Sequence, residues 1–194
     1  MDENKEGEAG SVRDISSSLF YDSIRYLRIL RTVKKEPAKP KHLTVIMLRH
    51  KLIHPQISSV LAAAGHHSTI LIADGNYPAA SKRGPRAELV SLNLMPGIPT
   101  CNQVLEAVLS AVPVEAIQTM QTETSGPYAL DGDPPVWKDY RETIQKADLD
   151  LQLEPIDKWA FYEAVSTPDH VLTIQTADQQ RYANILLSIG VRMD

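Results

Sequence analysis

From residue 43 onward, short unbroken apolar runs alternate with stretches whose apolar positions recur every three or four residues. Leu43–Leu48 (LTVIML) reads as a first strand or a lead-in to a domain. Pro55 to Ala64 lays Ile57, Val60 and Leu61 on one helical face and stops at Gly65. Thr69–Ala73 (TILIA) is apolar throughout, as expected of a strand buried on both faces. Further strands are predicted at Leu89–Leu94, Glu115–Met120, Leu149–Leu153 and His170–Gln175. Helices are predicted over about Thr100–Val112, Pro134–Lys146, Lys158–Ser166 and Gln179–Ile189, the last ended by Gly190. This alternation predicts an α/β fold: a single three-layer domain with a largely parallel sheet and helices on both faces. The Gly-, Pro- and Asp-rich stretch Ser125–Pro135 reads as a loop and a candidate lid.

Residues 1–42 keep neither rhythm for long. The first fourteen are polar and predicted to be disordered. Leu19 to Leu30 can place apolar residues on one face of a short helix with Arg25, Arg28 and Arg31 around it. The acidic start is wrong for a transit peptide, and no secretory apolar core or cleavage site follows. An extension that is poorly ordered or packs on a partner subunit is the plainer reading. Lys35–Lys41 (KEPAKPK) reads as a linker. The chain is thus expected to divide into an extension over 1–42 and a folded domain over 43–194. Charge sharpens the division: nine Lys/Arg face seven Asp/Glu in the extension, against eleven and seventeen in the remainder.

The whole chain has 194 residues, 43% of them hydrophobic and 23% charged, which suits one domain with a sizeable core. No apolar run approaches the roughly eighteen residues a membrane span needs. A net charge of −4 speaks against a dedicated nucleic-acid binder. The single cysteine, Cys101, can form no internal disulfide and no cysteine-rich zinc site, so a reducing cytoplasmic setting is the default.

Several common chemistries leave no trace. There is no G-x-G-x-x-G, no phosphate-binding lysine loop and no G-x-S-x-G elbow. His50 and His54 are spaced as a helical metal pair, but Pro55 disfavours helical conformation at His54. Polar residues at strand ends carry more. Asp74 ends the TILIA strand, where open parallel sheets bind ligands, although an aspartate closing a turn before Gly75 is equally ordinary. Lys158 follows one strand, and Tyr182, Ala183 and Asn184 follow another; a surface lysine and a half-buried helical tyrosine explain them as well. Together, a carboxylate, an amine, a phenol and an amide on one sheet edge would suit a sugar.

With these residues in view the chain resembles the D-ribose pyranase and L-fucose mutarotase family. The resemblance runs from about Met47 onward and rests on GHHSTILIADGNYP, GIPTCNQVLEAVLSAVPVEA, KWAFYEA and RYANILLSIGV. It implies a cytoplasmic enzyme that interconverts ring forms of a free monosaccharide without cofactor or metal, in ring-shaped homo-oligomers such as decamers. It places the proton donor at His66, the sugar-binding aspartate at Asp74, and further sugar contacts at Tyr182, Ala183 and Asn184. Lys158 stands where family members carry arginine or histidine. KWAFYE looks like the fucose type, while GIPTCNQVL and PVEA look like the ribose type.

Such chemistry asks little of a protein. One proton leaves the anomeric hydroxyl while the ring oxygen gains another, the ring opens, and rotation and reclosure follow. A single imidazole can supply acid–base assistance worth about 10² to 10⁴ in rate, roughly 3 to 5.5 kcal/mol. His66 precedes the TILIA strand and Asp74 ends it, so proton donor and binding set fall on opposite sheet edges, and the site is expected to be shared between subunits. A sugar-binding module without catalysis would keep Asp74 and Asn184 and need no histidine. A structural oligomer component would need none of these.

Overall fold

The computed structural model describes residues 48–193. The expectations for the extension, its linker and the first apolar run up to Met47 lie outside the described residues. In chain order the elements are α1 (Pro55–Ala63), β1 (Thr69–Ala73), β2 (Glu88–Ser91), α2 (Cys101–Leu109), β3 (Val114–Met120), α3 (Pro135–Lys146), β4 (Leu153–Ile156), α4 (Lys158–Val165), β5 (His170–Gln175) and β6 (Ile185–Ile189).

Local chemistry starts each helix. His54 accepts the Ile57 N–H at Nδ1 and Pro55 opens α1, so this histidine serves as a cap. Thr100 and Gln103 exchange hydrogen bonds in a capping box at α2. The Asp157 carboxylate accepts from the Trp159 and Ala160 amides at α4.

The six strands form one sheet in the order β2-β5-β1-β6-β3-β4. β1 and β2 each run parallel to β5, and β3 parallel to β4, while β6 is antiparallel to both β1 and β3. Five strands therefore share a direction and β6 opposes them from the middle. Alternate side chains of the central strands feed two cores. Ile70, Ile72, Leu172, Ile174, Ile185 and Leu187 pack with residues of α1, α2 and α3. Leu71, Ala73 and Leu186 pack on the other face with Phe161 and Val165 of α4 and with Tyr77.

The largely parallel sheet with helices on both faces is as expected, but two elements differ. Gln179–Ile189 is not a helix: 179–184 is an irregular connection and 185–189 is β6. A strand buried on both faces has no polar alternation, and with Tyr182 and Ala183 added upstream its apolar residues imitate a helical period. The strand expected at Leu149–Leu153 begins only at Leu153. β4 is an edge strand, so it tolerates Pro155 and exposes Glu154, while Leu149 and Leu151 pack against the core ahead of it.

Candidate active site

The edge where β1, β3 and β4 end and β6 begins holds an open cleft of about 530 Å³, within the range of small-molecule sites. Its lining includes Asp74, Lys158, Tyr182 and Asn184, four residues that the sequence places at this edge.

Asp74 leaves β1 into an Asx turn, its Oδ1 accepting the Asn76 amide at 2.9 Å. Its Oδ2 accepts from Asn184 Nδ2 at 2.9 Å, and its own amide donates to Asn184 Oδ1 at 2.9 Å. The turn and the ligand reading therefore describe the same residue. A carboxylate has about four lone-pair sites, so capacity for a sugar hydroxyl remains. Burial pushes the Asp74 carboxyl up to about 6, with the Asp178 charge adding to it, against hydrogen bonds from Asn76, Tyr77 and Asn184.

Tyr182 is not a helical residue with its hydroxyl in water. It adopts φ 59°, in the left-handed region, and is held there by three hydrogen bonds. Its hydroxyl donates to the Tyr128 carbonyl (2.9 Å) and accepts the Glu123 amide (3.0 Å), and its carbonyl accepts from Trp137 Nε1 (3.2 Å). The stretch read as a lid thus supplies Tyr128 as a wall of the cleft. Ala183 does not line the cleft; it is buried, and its carbonyl accepts the Tyr140 hydroxyl. Lys158 Nζ lies 3.1 Å from Glu123 Oε1, and that carboxylate holds its ammonium above the usual lysine range. Tyr162 adds an aromatic ring to the lining.

His66 is elsewhere. It lies in the turn before β1, at the opposite end of the sheet, and the five residues of β1 alone separate the two ends by roughly 13 Å. Its Nε2 is 2.8 Å from Glu115 Oε2, and Glu115 also meets His67 Nδ1 at 3.1 Å. The structure brings Asp74, Lys158, Tyr182 and Asn184 together and leaves His66 apart.

Chain comparisons identify the family. The model of the RbsD / FucU transport protein family matches residues 47–192. The chain belongs to this family. The fucose mutarotase of Homo sapiens is 31% identical over 146 residues, 72% of this chain and 90% of that protein. The D-ribose pyranase of Variovorax paradoxus is 31% identical over 147 residues, 75% of this chain and 98% of that one. Among solved structures, the fucose mutarotase of Streptococcus pneumoniae in complex with L-fucose superposes with a TM-score of 0.61 at 26% identity. That match covers 75% of this chain and 100% of the other. Bacillus subtilis RbsD complexed with D-ribose shares the fold, with a TM-score of 0.58 at 20% identity, over 76% of this chain and 100% of that one.

Glu123, Tyr128, Tyr162 and Glu115 of this RbsD / FucU chain were not among the sequence candidates. Glu123 follows β3 at the same edge, so the rule that found Asp74 and Lys158 would have found it too. Glu115 meets His66 across 49 positions of sequence, and no local pattern announces that pairing.

Proposed function

We propose that the chain is a cofactor-independent isomerase that interconverts ring forms of a free monosaccharide, as its family relatives are named to do. The observation that carries this reading is the cleft in which Asp74, Lys158, Tyr182 and Asn184 converge. It offers carboxylate, ammonium, phenol and amide groups for hydroxyls, and Tyr162 for an apolar sugar face. Asp74 and Asn184 orient each other, so the acceptor is fixed before the sugar arrives. The Lys158–Glu123 pair supplies both a donor and an acceptor to hydroxyls that displace it.

His66 is the proton donor and acceptor in this reading, and Glu115 fixes its ring by accepting at Nε2. Because His66 lies at the far end of β1, it serves the cleft of a neighbouring copy in a homo-oligomer. The reaction runs in the cytoplasm, a setting that suits the buried, unpaired thiol of Cys101. No helix among the described residues is long and apolar enough to cross a membrane.

Exchange NMR of free fucose and ribose tests the assignment. His66→Ala should lower the anomeric exchange rate by about 10² to 10⁴ while His67→Ala lowers it far less. Asp74→Ala should also be inactive, and mixed assemblies of the two inactive proteins should recover part of the rate. Wild-type protein that binds sugar without exchange would make it a binding module. Absence of recovery in verified mixed oligomers would place the whole site within one chain.

A further inference from the structure

Away from the cleft, one group of ligating side chains gathers at the other end of the sheet. The ligand atoms of His66, His67 and Glu115 all lie within 4.8 Å of one another. Two imidazole nitrogens and a carboxylate form a three-protein-ligand set that zinc uses while leaving a fourth position open. Zinc bonds of about 2.0–2.1 Å in a tetrahedron put neighbouring ligand atoms about 3.3 Å apart. Glu115 meets the two nitrogens with its two oxygens, Oε2 at 2.8 Å from His66 Nε2 and Oε1 at 3.1 Å from His67 Nδ1, so each carboxylate–imidazole pair is near that spacing.

The backbone holds the set in place. Ser68 N–H donates to the Gly65 carbonyl, which makes His66 and His67 the central residues of a β-turn, and His67 N–H donates to the Ile189 carbonyl of β6. His67 has φ 66°, a conformation that β-turns ordinarily give to glycine or asparagine at this position. That geometry stacks the two rings with centroids 3.7 Å apart and turns His67 Nδ1 onto Glu115. Glu115 sits where the register of β3 against β6 shifts, an irregularity that re-aims a side chain. Gly190 clears the space beside it, since a Cβ there would lie 3.2 Å from the Glu115 Cβ. All three side chains are reachable from solvent, with side-chain exposures of 42%, 75% and 35% in the order His66, His67, Glu115.

We propose that His66 Nε2, His67 Nδ1 and Glu115 bind one late first-row divalent cation, zinc above all, and that an occupied site cannot exchange anomers. Co²⁺ takes the same nitrogen and oxygen donors, so it can report the geometry while Zn²⁺ in excess competes for the site. A metal on Nε2 replaces the proton that Glu115 accepts there, and a metal-bound ring can no longer cycle between imidazole and imidazolium at Nδ1. This second half rests on His66 being the proton donor; the metal site itself does not.

The test uses the full chain without a histidine tag. Titration with Co²⁺ should give a visible ligand-field absorption that saturates at one ion per chain and is abolished by Zn²⁺. His67→Gly should bind at least about tenfold more weakly, because it removes one ligand. Glycine also relieves the left-handed backbone, so this variant should fold and keep its basal exchange rate. In wild type, exchange should fall in proportion to bound Zn²⁺ and return on adding EDTA; in His67→Gly the same Zn²⁺ should do little. No Co²⁺ absorption, or equal binding by His67→Gly, would overturn the site. Full exchange by zinc-loaded wild type would leave the site standing and overturn both the inhibition and the proton-donor role of His66.

Discussion

Burial acts on two ionisable side chains in opposite senses. It raises the Asp74 carboxyl to about 6, and it lowers the His170 imidazole to about 4. His170 is enclosed beside Thr173 and Thr69, with Nε2 2.8 Å from the Thr173 hydroxyl. A carboxyl with a raised folded pKa binds more protons folded than unfolded, so its contribution improves as pH falls from 6 toward 4. An imidazole with a depressed folded pKa binds fewer, so its contribution is lost over the fall from 6.5 to 4. Each shift corresponds to about 3 kcal/mol, and the two nearly cancel across this window. Urea unfolding should therefore show little net effect of these two groups in wild type. Asp74→Asn should lose about 3 kcal/mol on going from pH 6.5 to 4, as the His170 slope is uncovered. A pH profile for Asp74→Asn no steeper than wild type would show that the raised Asp74 carboxyl and the buried His170 ring do not offset each other. Asp74, Lys158, Tyr182 and Asn184 are legible in the sequence because polar residues at the ends of apolar strands are conspicuous. Glu115 is not, because what gives it a role is a contact with a turn far away in the chain.

At the scale of elements, β1, β2, β3 and β5 were legible as short apolar runs between turn residues. β1 and β5 are central and apolar, and α2, α3 and α4 carry caps or prolines at their starts. β4 was displaced because its edge position lets it expose Glu154 and Pro155. β6 imitates a helix in the sequence because burial on both faces removes the alternation that marks a strand. The connection from β1 to β2 hides a further constraint. A Cβ at Gly84 would lie 2.6 Å from the Thr167 carbonyl oxygen and 2.7 Å from that of His170, so the loop is pressed against backbone that cannot rotate away. Gly84→Ala should cost about 2 kcal/mol or more and lower the melting temperature, with activity per folded molecule unchanged. An unaltered melting temperature would show that the loop moves aside freely.

For the whole molecule, the proposed division of chemistry between two ends of one sheet would tie function to assembly. The cleft and His66 belong to opposite ends of β1, which is why the proposed reaction calls on a second copy. The α/β class was legible, and so was the placing of His66 and Asp74 at opposite ends of β1, since a strand's length follows from counting its residues. The placement of β6 was not, because sheet order is decided by pairings between distant segments.

That placement orders events in time. β2, β5 and β1 form one hydrogen-bonded block, β3 and β4 another, and β6, last of the six in chain order, is the strand that ladders them together. A nascent chain leaving the ribosome therefore has the two outer parts of its sheet before it has the middle. Arrested nascent chains should remain open to protease until residues 185–189 have emerged, then gain protection in one step. Protection gained with only β1–β5 exposed would show that the blocks assemble without their keystone. Synthesis from one end makes the centre of this sheet the last piece delivered, and commits the chain to folding after most of it has been made.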